Sequence, residues 1–98
     1  MAGYNLIIKP EAELDIVDVK KWYDDKKEGL GLRFSEELDQ KLAKVQANPL
    51  HYQSRYKTVR MAILDTFPDA IHFVVEEGTV YVLAVLGTAR DPKNWDRS

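Results

Sequence analysis

Phe34–Leu64, FSEELDQKLAKVQANPLHYQSRYKTVRMAIL, contains the change of period that decides the fold. Phe34, Leu38, Leu42 and Val45 recur at helical spacing and lay one apolar stripe along a helix. Asn48-Pro49 ends it, because proline carries no amide proton and disfavours helical geometry in the residue before it. From Thr58 to Leu64 the period falls to two, so Val59 and Met61 point one way and Arg60 the other.

Working upstream, the acids Glu11, Glu13 and Asp15 and a proline in the first turn predict a helix over Pro10–Glu28. Ala12, Ile16, Val19 and Tyr23, with Trp22 beside them, form its apolar face, and both aromatics are expected in the core. Asn5–Ile8 before it reads as a short strand. Gly29 and Gly31 separate the two helices by so short a turn that they must pack antiparallel. Downstream, Ala70–Glu76 and Thr79–Leu86 read as strands, with turns at Phe67-Pro68-Asp69 and Glu77-Gly78. The expected fold is α+β in the order β-α-α-β-β-β: an antiparallel helical hairpin on a twisted, mainly antiparallel four-stranded sheet, in a single domain over residues 1–98. The polar segment Gly87–Ser98 reads as a surface tail.

Composition narrows the function classes. Of 98 residues, 45% are hydrophobic and 31% charged, which is enough apolar material for one core and unlike a disordered chain. The chain has no cysteine, which removes disulfides and thiolate metal sites. Neither a signal peptide nor an apolar run long enough to cross a bilayer is present, so a cytoplasmic location with no membrane association is expected. No glycine-rich phosphate loop and no metal-ligand spacing occurs, so neither cofactor nor metal is expected.

A net charge of −2 carries no whole-chain signal for nucleic acid, but its distribution is uneven. From Leu50 onward the bases fall into two windows, Arg55, Lys57 and Arg60, then Arg90, Lys93 and Arg97, whereas acids dominate the helical half.

Taken in order, Lys9-Pro10-Glu11-Ala12, Gly31-Leu32-Arg33-Phe34, Asn48-Pro49, Val59-Arg60, Phe67-Pro68 and Arg90-Asp91-Pro92 with Trp95 resemble the pattern of the RelE/ParE toxin superfamily, with the ParE-like branch the nearer. The resemblance spans nearly the whole chain. It implies a toxin of a type II toxin-antitoxin module, of the kind associated with plasmid stabilization and growth inhibition, held in a complex by a cognate antitoxin. It leaves two targets open, DNA gyrase for ParE-like members and the ribosome with its messenger RNA for RelE-like endoribonucleases.

Metal-free RNA cleavage needs a base, cations for the phosphorane and an acid for the leaving oxygen. Arg60 and Arg90 match the arginines of the ribonuclease members, and His72 is the candidate base provided it is exposed beside Arg60 on the sheet. Where those members carry a tyrosine or histidine near the C-terminus this chain has Trp95, whose indole stacks but transfers no proton at neutral pH. That departure favours a non-hydrolytic toxin that meets gyrase through Lys57, Arg60, Arg90, Lys93 and Trp95. An interaction protein that has lost toxicity is the third reading. A small sheet with exposed edges and apolar strips also calls for a partner, and an antitoxin supplying apolar helical anchors fits that need.

Overall fold

The computed structural model describes residues 3–88; the candidates Arg90, Lys93 and Trp95 lie outside the described residues. The elements run β1 (Asn5–Ile8), α1 (Pro10–Lys26), α2 (Leu30–Ala47), a 3-10 turn (Pro49–His51), β2 (Ser54–Tyr56), β3 (Val59–Ile63), β4 (Asp69–Glu76) and β5 (Thr79–Gly87).

The helical hairpin forms as its sequence dictates. Pro10 stands in the first turn of α1, with Glu11 and Glu13 favourably placed at the positive end of the helix dipole. Gly29 adopts φ 86°, a left-handed turn that a side chain would resist. Gly31 then lies so close to α1 that a Cβ would come within 2.6 Å of the Lys20 carbonyl oxygen. Its amide donates to the Asp24 carboxylate at 2.8 Å, so the two helices touch through backbone at their junction.

The sheet has five strands in the order β1-β5-β4-β3-β2, which corrects the expected four. The extra strand, Ser54–Tyr56, is only three residues long and pairs with β3 across a register shift. So short and bulged a strand leaves no alternation to read. It turns into β3 at Lys57, held at φ 50°. The pairing is also mixed: β1 runs parallel to β5, while β2 to β5 form an antiparallel meander. The β4–β5 hairpin turns at Glu77 and Gly78, both at positive φ, the twist that suits a two-residue connection.

The helices cover one face of the sheet, where Phe34, Leu38 and Val45 meet Ile71, Phe73, Val80 and Val82 in one buried cluster. Each such side chain removed from water stabilises the fold by about 1.5–3 kcal/mol. Tyr23, Phe34 and Phe67 pack ring on ring at one end of it, with centroids 4.8–5.6 Å apart. A register shift between His72 and Phe73 leaves Leu83 as the extra residue on β5, which lets both Val82 and Val85 face the helices. Trp22 departs from the expected core position: it is 55% exposed and presents its edge to Tyr23 from outside. Tyr23 takes the buried place, because only one of two adjacent helical residues can lie at the centre of the stripe.

The opposite face of the sheet is apolar as well. Val59, Met61, Ala70, His72, Ala84 and Leu86 are all buried, although none belongs to the cluster beneath the helices. At the loop between β3 and β4, Glu37 of α2 accepts the Thr66 amide at 2.8 Å and Lys41 reaches Asp65. Burial pushes the Glu37 carboxyl up, but the hydrogen bonds from Thr66 outweigh it and hold the group below its ordinary range.

Candidate functional site

The register of β3 decides what its arginine can do. Arg60 stands directly opposite Phe73, which faces the helices, so Arg60 lies on the helix side of the sheet. It is half-buried there, and its guanidinium donates to the backbone carbonyl of Tyr52. Arg60 points away from Val59 and Met61, as the alternation requires, and its partner is a backbone carbonyl. Tyr52 in turn sets its ring edge-on to Phe73 at 6.0 Å, which ties the segment carrying that carbonyl to the core. Arg55 on β2 and Lys57 at the β2–β3 turn are exposed close by in the chain, so this edge of the sheet carries three cations. They can hold an anion or an acidic protein surface.

His72 does not join them. It stands opposite Met61 and Ala84, on the face of the sheet away from Arg60, and it is 0% exposed. Its Nδ1 lies 3.0 Å from the Tyr56 hydroxyl, a hydrogen bond that stitches β2 to β4 across β3. The condition for a general base, exposure beside Arg60, is therefore unmet, and the reason is the strict alternation of side chains along adjacent strands. The other imidazole, His51 in the 3-10 turn, is exposed, with its ring edge-on to Tyr52 at 5.1 Å. Its place next to Tyr52 in sequence was the available signal, but only the Arg60–Tyr52 hydrogen bond gives that adjacency meaning.

A second region of different chemistry lies at the other end of the sheet. A cavity of about 610 Å³ opens between α1 and the turn into β4, walled by Asp15, Asp18, Trp22 and Tyr23 on one side and by Pro68, Asp69 and Leu86 on the other. Asp15 accepts the Val85 amide at 3.0 Å and so fixes α1 to β5. At the floor the Tyr23 hydroxyl donates to the buried Asp69 carboxylate at 2.5 Å. Burial raises the Tyr23 phenol well above its ordinary range, and the hydrogen bond to Asp69 and the charge it carries push the same way. No group of three or more His, Cys, Asp or Glu side chains suited to a metal ion occurs among the described residues, and no described helix is long and apolar enough to cross a membrane.

Neither a family model nor a curated protein matches the sequence. Among solved structures, the fold is similar to that of a chain from the chromosomal ParDE TA system from P. aeruginosa, with a TM-score of 0.77 at 16% identity over 86% of this chain and 95% of that chain. A likeness at that identity is one of fold.

Proposed function

We propose that this chain is the toxin of a type II toxin-antitoxin module, acting in the ParE-like manner by binding and poisoning DNA gyrase, and silenced by a cognate antitoxin. The observation that carries the mechanism is the separation of His72 from Arg60 by the sheet. A metal-free ribonuclease needs a proton-transfer group within reach of its cations, and the strand histidine is sealed on the wrong face. What remains at the β2–β3 edge is a set of cations suited to an acidic protein surface, with Arg60 oriented by Tyr52. The fold shared with a ParDE chain supports a toxin-antitoxin role, common to both branches. Lys57 and Arg60, with Arg90, Lys93 and Trp95 beyond the described residues, are the proposed contacts.

The second reading is a ribosome-dependent endoribonuclease, in which Arg60 and Arg90 stabilise the phosphorane. The observation favouring it is the exposed His51 beside Tyr52, an imidazole next in the chain to the residue whose carbonyl holds Arg60.

Expression of the chain in bacteria, with and without the gene product encoded beside it, separates the readings. The gyrase mechanism predicts growth arrest with induction of the DNA-damage response while translation continues, and rescue by the neighbouring product. Prompt loss of translation with cut messenger RNA would transfer the assignment to the second reading. The absence of any growth defect would remove both and leave an interaction protein.

A further inference from the structure

The second face of the sheet is shut off from water by something other than the helices. Val59, Met61, Ala70, His72, Ala84 and Leu86 form a band across β3, β4 and β5, in which Met61 keeps 7% of its surface exposed and Leu86 3%. On the same face but outside the band, Ile63 on β3 is 44% exposed and Ile7 on β1 45%. The cover is therefore local. These exposures belong to a single chain, so the chain itself supplies that cover.

The described helices and loops that join the core are committed to the other face. α1 and α2 pack there through Tyr23, Phe34 and Leu38, Tyr52 follows the 3-10 turn onto the same cluster, and the β3–β4 loop joins it through Leu64 and Phe67. The start of the described chain goes the same way, since the Tyr4 amide donates to the Gln46 carbonyl of α2. The other end is differently placed. β5 ends at Gly87, next to Leu86, and the Thr88 amide donates to the Pro68 carbonyl at 2.8 Å, which fixes the exit of the chain beside the Ala70–Leu86 pair.

Residues 89–98 follow, and Trp95 is the one large apolar side chain among them. In extended chain Trp95 can reach up to about 25 Å from Thr88, whereas β3 lies only about 10 Å from β5 across β4. A packed aromatic side chain buries about 150–250 Å². We propose that the segment 89–98 docks on this face of its own sheet, with Trp95 seated on the band around Met61 and Leu86, so that the chain closes a second core. This docking does not depend on the toxin reading. Under that reading it also holds Arg90 and Lys93 between two fixed points, Thr88 and Trp95, and makes Trp95 the residue that positions them.

The chain has two tryptophans and no cysteine, so the test can be read from Trp95 alone. In the full-length Trp22→Phe variant, which alters an exposed ring, Trp95 emission should lie to the blue of that of the urea-unfolded chain, and acrylamide should quench it several-fold less. A nitroxide attached through Ile63→Cys, on the same face, should quench Trp95, and the same label attached through Leu32→Cys, exposed on α2, should not. Trp95→Ser should bare the band and raise the binding of an apolar dye several-fold while the helices persist by circular dichroism; should that variant not fold, the label readings decide. Emission matching the unfolded chain, no quenching from position 63, quenching as strong from position 32, or unchanged dye binding in folded Trp95→Ser would overturn the proposal. A blue shift that fades on dilution would also overturn it, by giving the face to a second copy.

Discussion

The two ends of the sheet differ in charge and in how their charges are held. At the β2–β3 edge Arg55, Lys57 and Arg60 lie on short, irregular elements, and Arg60 is steadied by a single carbonyl. Beside α1 the aspartates sit on or against regular structure, with Asp69 buried under Tyr23 and Asp15 bonded to the β5 backbone. One end is a presented charge and the other a built cavity. The difference teaches that one small core can carry two surfaces of opposite sign when the helices cover only part of a five-stranded sheet.

The comparison breaks first if the common core fails. Phe34 is fully buried between Tyr23, Phe67 and the sheet, so Phe34→Ala should cost about 3–5 kcal/mol and unfold both ends together, read as a single transition in denaturant. Tyr23→Phe should strike the acidic end more than the basic one. Removing the hydroxyl takes a donor from the buried Asp69 carboxylate and should cost about 1–3 kcal/mol.

The same residue gives the acidic end a pH signature. The phenol ionises later in the folded chain than in the unfolded one, so the stability it confers is complete below the unfolded tyrosine value of about 10 and is lost as pH rises above it. Alkaline titration of stability should therefore fall more steeply for the natural chain than for Tyr23→Phe.

At the basic end the stability effect is smaller and the functional one larger. Arg60 is half-exposed, and Arg60→Ala should cost only about 1 kcal/mol while abolishing growth arrest. Least affected is Asp65→Asn, which breaks an exposed ion pair to Lys41 and should change stability by less than about 0.5 kcal/mol, seen as an unaltered denaturation midpoint.

Much of this layout was legible before any coordinates. The stripe Phe34, Leu38, Leu42, Val45 and the break at Pro49 are local signals, and each stands in the fold as read. Glu77-Gly78 likewise forms its tight hairpin, because turn chemistry acts over two residues. What was not legible depends on contacts far apart in sequence. The parallel pairing of β1 with β5 joins Asn5 to Thr79, a choice that alternation within either strand does not encode. The exposure of Trp22 depends on which of two adjacent aromatics meets Phe67, and the burial of His72 depends on register with Met61 and Ala84. The strand Ser54–Tyr56 is defined by its partner and not by its own pattern.

The direct test of the central claim is inhibition of gyrase supercoiling by the purified chain beside a folded Arg60→Ala variant, with thermal unfolding confirming that both are native. The natural chain should block supercoiling or trap cleaved DNA, and the variant should lose that effect while unfolding within a few degrees of it. Gyrase turning over undisturbed with the natural chain in excess, or an undiminished block by Arg60→Ala, would contradict the claim that the basic edge is the weapon of this protein.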